Sequence, residues 1–216
     1  MTKRTVVFVV MLLTCISAYA YIQFHKPDRS GLSNEAMLKK WLQAKPDHLI
    51  LQTGDLIFRH GRGAISNALK QFSRRETKYS HAGIISIEND QVFVYHAIGG
   101  EENRSNKLRK DPIELFCSPK QAHEFGIYRL DLDTLLFCKM DSLAKSYYQQ
   151  GLGFDPKFNM NTDDKMYCSE FVYKVIAKTT GIENYLPLSM CSGVRYVACD
   201  DLYLNAHCLP VYSYHY

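Results

Sequence analysis

The sequence predicts an α+β domain in which an antiparallel sheet packs against a helix that begins near Cys168. Three observations predict it. His81–Glu88 and Gln91–Ile98 are β-rich apolar runs separated by Asn89-Asp90, the two-residue turn of a tight hairpin. Downstream, Cys168, Val172, Val175, Ile176 and Thr179 recur at helical spacing and make a face that must be buried. The chain of 216 residues is 46% apolar and 22% charged, which suits one domain with its own core plus an N-terminal appendage.

In chain order, residues 1–20 read as a secretory signal. Lys3 and Arg4 precede an apolar stretch, Thr5–Ser17, and Ala18-Tyr19-Ala20 supplies the small-x-small cleavage pattern. An apolar run extended from Thr5 to Phe24 is also long enough for an uncleaved anchor, and Cys15 offers a lipidation site after a poorly matching Thr14. In each case the domain is exported, periplasmic or extracellular, with membrane association through the N-terminus open. Residues 21–34 read as a tether and 35–216 as the domain.

Within the domain, Ser33 or Asn34 caps a short helix, Glu35–Ala44, stopped by Pro46. A Thr53-Gly54-Asp55 turn leads into a strand ending near Arg59, with Asp55 placed to hold a loop amide. Ala64–Ser73 has helical spacing and a ring of Arg59, Arg62, Lys70, Arg74, Arg75 and Lys78, read first as a solvated face and second as a hold on an anionic substrate or membrane. Residues 99–120 look polar and irregular. Glu124–Leu130 is a further strand, Asp133 or Thr134 caps a helix to Gln150 closed by Gly151, and a long loop precedes the Cys168 helix, which ends near Gly181. A last strand is expected around Leu209–Tyr214.

Cys168 and His81 are the residues most suited to chemistry. A thiol ionises more readily at a helix N-terminus and beside an imidazolium, and Cys168 begins its helix, with Asp163 and Asp164 as candidate caps. With Glu88 facing Gln91, counting outward puts His96 opposite Gly83 and on the same sheet face as His81, roughly 7–8 Å away along the diagonal. Gly83 then leaves space opposite His96. That set supplies a nucleophile, a base and a group to orient the base. Tyr167 would line the cleft and bind substrate. Glu170, four residues before Lys174, suggests a helix-surface ion pair, and Ser80 a minor hydrogen bond near His81.

These residues resemble a known family. Thr53-Gly54-Asp55-Leu56-Ile57-Phe58, Tyr79-Ser80-His81-Ala82-Gly83-Ile84, Val94-Tyr95-His96-Ala97-Ile98-Gly99, Asp163-Asp164 and Tyr167-Cys168-Ser169-Glu170-Phe171-Val172 are similar to the motifs of circularly permuted NlpC-type, YiiX-like papain-fold hydrolases, in the same order. The resemblance implies a permuted papain-like fold with Cys168 as nucleophile, His81 as base and His96 as the third polar residue, where close relatives often carry Glu. It implies cleavage of an amide or ester through a thioester, with no cofactor, on a cell-wall peptide or a lipid of the envelope. An acyltransferase using the same residues is the first alternative, and a catalytically silent binding domain the second. A net charge of +4 without a basic block argues against nucleic acid as a partner. Cys191, Cys199, His207 and Cys208 lack zinc-site spacing, and Cys117, Cys138, Cys191, Cys199 and Cys208 allow at most two disulfides.

Overall fold

Ser33 caps the first described helix, α1 (Asn34–Ala44), by accepting the Ala36 N–H at 3.2 Å. The computed structural model describes residues 33–100, 103–182 and 184–216, so the expected leader and nearly all of the expected tether lie outside the described residues. Among the described residues no helix is long and apolar enough to cross a membrane.

A Gly54 turn starts β1 (Leu56–Gly61). Gly54 has φ +93° and a Cβ there would strike the Phe137 ring, so only glycine fits. Asp55 is fully buried and accepts the Gln52 N–H at 2.9 Å, as its place after the turn suggests. Its pairing with Arg129 Nε at 2.7 Å was not legible in the sequence. The helix α2 (Ala64–Leu69) continues as a 3-10 turn, Lys70–Phe72.

The hairpin forms β2 (His81–Glu88) and β3 (Gln91–His96), in register from Glu88↔Gln91 to Ile84↔Tyr95. Asn89 (φ 48°) and Asp90 (φ 62°) are both left-handed, as a type I′ turn requires. Gly83, however, does not open space: an added Cβ would lie 2.6 Å from Val94 Cγ1 and 3.2 Å from His96 Cβ. It is glycine because the strands approach closely there. Residues 103–120 are also more regular than their polarity suggests, and contain β4 (Arg109–Pro112) and α3 (Ile113–Phe116). Then come β5 (Ala122–Leu130), α4 (Thr134–Gln149), the short parallel pair β6 (Gly153–Phe154) and β7 (Lys165–Met166), and α5 (Cys168–Thr180), closed by Gly181 at φ 68°. The last part adds the hairpin β8 (Ser189–Cys191) and β9 (Val194–Tyr196), the helix α6 (Cys199–Tyr203), and β10 (Cys208–His215).

Six strands form one antiparallel sheet in the order β10-β5-β1-β2-β3-β4. Side chains alternate between its two faces. Leu56, Phe58, Ala82, Ile84 and Tyr95 pack with Phe137 and Met140 of α4 and Phe171, Val172, Val175 and Ile176 of α5. Ile57, Ile85, Val94, Phe125 and Ile127 pack on the opposite side with Phe116, Trp41 and the tyrosines of the C-terminal strand. The six cysteines among the described residues are all free thiols, so neither of the two disulfides allowed by the count has formed.

Candidate active site

Cys168 is the first residue of α5, and the residues on either side of it are fixed. Tyr167 is the N-cap, and its N–H donates to Glu170 Oε2 at 3.1 Å. Glu170 is fully buried and pairs with Lys174 Nζ at 2.9 Å, so its ion pair is as expected but lies inside the protein, where it also holds the helix start. Asp163 does not cap the helix. It pairs with Lys174 and Lys178, at 2.7 and 3.1 Å. The Val197 backbone ties both neighbours of the thiol: its N–H donates to the Tyr167 hydroxyl and its carbonyl accepts from Ser169 Oγ, each at 2.8 Å. The partly exposed Cys168 thiol receives the backbone N–H of Ala82, which lies just past the last pair of the β2–β3 ladder.

A chain of hydrogen bonds starts at the residue before Ala82. His81 Nε2 lies 2.8 Å from His96 Nδ1, and His96 Nε2 lies 3.0 Å from Asp111 Oδ2. Arg109 donates to the other oxygen of Asp111 through Nε at 3.0 Å and Nη2 at 2.7 Å. Burial works against ionisation of Asp111, but the His96 and Arg109 hydrogen bonds outweigh it and hold the carboxyl below its usual range. Burial also holds the His81 imidazole well below its ordinary value, helped by Arg59, His96 and Arg109, and brings His96 down to about 4 despite the opposing pull of Asp111.

Both rings are therefore neutral at pH 7, and the geometry fixes their tautomers. A carboxylate can only accept, so His96 carries its proton on Nε2 and accepts at Nδ1. His81 must then donate from Nε2, which leaves its lone pair on Nδ1. Phe116 supports the arrangement. Its ring stacks on His81 at 5.6 Å and meets the edge of His96 at 5.1 Å, while the Arg59 guanidinium lies 4.7 Å over its ring centroid and donates to its carbonyl at 3.0 Å.

Three expectations change. The two imidazoles lie on the Phe116 side of the sheet, whereas α5 packs on the other side, and among the described residues no hydrogen bond joins Cys168 Sγ to either ring. The backbone N–H of Ala82, the residue after His81, links the thiol to this strand. Burial also pushes the Cys168 thiol up, against the pull of the Ala82 and Ser169 amides, so the resting pair is thiol and imidazole and not an ion pair. Tyr167 does not line an open cleft: it is 3% exposed, its hydroxyl is bound to Val197, and its ring packs on Phe158. Ser80 accepts the Gly61 N–H at 3.0 Å and so secures the start of β2. Asp111 and Arg109 were missed. The available signal was the charged run Arg109-Lys110-Asp111 ending at a proline, a pattern suited to an edge strand.

Residues 50–188 match the family of permuted papain-like amidase enzymes described as YaeF/YiiX, C92. The chain is 29% identical over 133 residues to the uncharacterized protein YiiX of Escherichia coli K12, a match covering 61% of this chain and 60% of that relative's length. The fold is similar to the crystal structure of the metalloprotein yiiX from Escherichia coli O157:H7, with a TM-score of 0.63 and 20% identity, over 76% of this chain and 98% of the other. The described residues contain no group of three or more His, Cys, Asp or Glu side chains placed to hold a metal ion.

Proposed function

This chain belongs to the YaeF/YiiX family of permuted papain-like amidases, and we propose that it is a cysteine hydrolase with Cys168 as nucleophile, His81 as general base and His96 and Asp111 as its orienting relay. One observation carries the reading: the chain from Asp111 through His96 to His81 leaves the His81 lone pair on Nδ1, one residue from the amide that holds the thiol. Sγ attacks the substrate carbonyl as its proton passes to His81 Nδ1. The imidazolium is stabilised through His96 by the Asp111 carboxylate. The Cys168 N–H at the start of α5 donates to the developing oxyanion. Collapse breaks the C–N bond, His81 returns the proton to the leaving amine, and a thioester remains on Cys168. Water then attacks with His81 again as base, releasing the acid and the thiol.

The leader in residues 1–20 supports export, and an amide-cleaving enzyme outside the cytoplasm suits a cell-wall peptide. The test is incubation of the mature protein with peptidoglycan fragments, followed by mass spectrometry of products and of Cys168. New carboxyl termini should appear with wild type and vanish in Cys168→Ala and His81→Ala. Unchanged hydrolysis by Cys168→Ala would reject the nucleophile, and an intact Met1 in envelope-recovered protein would reject cleavage after Ala20.

A further inference from the structure

Ser169, the residue after the nucleophile, is buried and has one hydroxyl hydrogen with two acceptors in reach. Its Oγ donates to the Val197 carbonyl at 2.8 Å, and it also lies within hydrogen-bond reach of Cys168 Sγ. As the second residue of α5, Ser169 directs its side chain back towards the helix start, where the sulfur sits. No heavy atom has to move for the hydrogen to change partner, since a hydroxyl turns about its own C–O bond. Which acceptor holds it depends on the charge of the sulfur. A neutral thiol accepts weakly, so the carbonyl keeps the hydrogen at rest, where burial holds Cys168 in its protonated form. A thiolate reverses the order, because a hydrogen bond to an ionised acceptor is about twice as strong as a neutral one.

We propose that Ser169 is a further catalytic residue, whose hydroxyl turns from the Val197 carbonyl to Cys168 Sγ as the sulfur becomes negative and stabilises it while the thioester is hydrolysed. In that step the C–S bond breaks, its electron pair goes to sulfur, and the acyl group departs as the acid formed with water. The proton that His81 took from the water then passes to Sγ, and the hydroxyl turns back to the carbonyl. Sulfur is negative only between these two events. The Ala82 and Ser169 amides that also reach Sγ are fixed in the backbone, whereas the hydroxyl can follow the charge. A donor engaged only when charge develops lowers the barrier without stabilising the resting state. Val197 stays in place meanwhile, because its N–H remains bonded to the Tyr167 hydroxyl at 2.8 Å. Val197 lies beyond residues 50–188, the part that matches the family, so the carbonyl that holds the hydrogen at rest comes from the C-terminal portion of this chain. The role rests on the reading of Cys168 as nucleophile.

The test follows Cys168 in the full chain by site-resolved mass spectrometry, through the pH profile of iodoacetamide alkylation and the lifetime of the acetyl thioester formed from p-nitrophenyl acetate. In Ser169→Ala the alkylation midpoint should rise by about one pH unit and the thioester should last roughly tenfold longer than in wild type, the loss expected for one hydrogen bond to a charged acceptor. Tyr167→Phe breaks the other bond to Val197 but leaves the sulfur its donors, so both readings should stay close to wild type. A Ser169→Ala variant that behaves as wild type overturns the catalytic role. So does a Tyr167→Phe variant with the same losses as Ser169→Ala, which would make Ser169 a brace for Val197 and nothing more. Should Ser169→Ala fail to fold, Ser169→Cys decides, since a thiol is similar in size but a weak donor: the raised midpoint and longer lifetime must appear there, and a wild-type response refutes the role. Wild-type protein that is neither alkylated nor acetylated at Cys168 fails one step earlier, and rejects the nucleophile together with this role.

Discussion

Replacing Asp111 by Asn should damage the proposed enzyme more than replacing it by Ala. Asp111 uses one oxygen for the Arg109 Nε and Nη2 groups and the other for His96 Nε2, at 3.0 Å. Arg109 can only donate, so an Asn side chain must give it the single remaining oxygen and turn its NH2 towards His96. His96 Nε2 then has to accept, its proton moves to Nδ1, and His81 is driven to carry its own proton on Nδ1. The lone pair leaves the thiol side. Loss of general base assistance is worth ~10²–10⁴-fold, about 3–5 kcal/mol of barrier. Ala removes the carboxylate without imposing the wrong tautomer, so its loss should be at least tenfold smaller. The assay is kcat/KM on whichever amide the screen identifies, with melting temperature as a check on folding. Asn at near-wild-type activity alongside an impaired Ala variant would refute the tautomer argument.

Other outcomes follow from the same geometry. Alkylation of Cys168 by iodoacetamide should rise only towards alkaline pH and lag the exposed Cys138 near pH 6, because burial raises the thiol; a plateau at pH 6 would restore the ion pair. His96 titrates near 4 when folded against 6.5 as its ordinary value, so between those values the unfolded chain binds more protons, and stability is lost as pH falls from 6.5 to 4 by at most roughly 3 kcal/mol; His96→Gln should flatten that part of the melting curve. His96→Glu should not rescue activity alone, since it sets a second carboxylate against Asp111, whereas pairing it with Asp111→Asn should recover part of the loss in a turnover assay. Asp200 accepts the backbone N–H groups of Arg74, Arg75 and Glu76 at 2.9, 2.6 and 3.3 Å, so Asp200→Ala should cost about 2–4 kcal/mol in denaturant titration and raise hydrogen exchange at 74–76, with Asp200→Asn milder.

The hairpin register was legible because a two-residue turn and strict alternation leave one solution, and β2–β3 pair as counted from Asn89-Asp90. The helix at Cys168 was legible from its apolar spacing, and α4 from its cap and closing glycine. Which sheet face meets α5 was not. Along β2 the residues of both faces are apolar, Ala82 and Ile84 on one and Ile85 and Ile87 on the other, so alternation puts His81 with His96 but is silent on the side. Asp111 was hidden for a related reason. An edge strand of charged residues closed by a proline has no apolar period, and its value to the site arises only when Arg109 lands opposite His96 in the β3–β4 ladder.

The burial that obscured the site in the sequence also sets how it can work. A preformed thiolate would need a nearby imidazolium, and desolvation denies a charge to both rings. The proposed relay instead keeps every resting hydrogen bond neutral except at Asp111, the one ionised member, which Arg109 secures from outside. Charge separates only when a carbonyl carbon is in place to take the sulfur's electrons as the proton reaches Nδ1. An Asp111 carboxylate two rings away then stabilises the transition state more than the ground state, which is the difference that accelerates a reaction. By the same reasoning the third residue can be a neutral histidine here rather than a carboxylate: the negative charge has been moved one strand outward, to β4, and the histidine carries its influence inward.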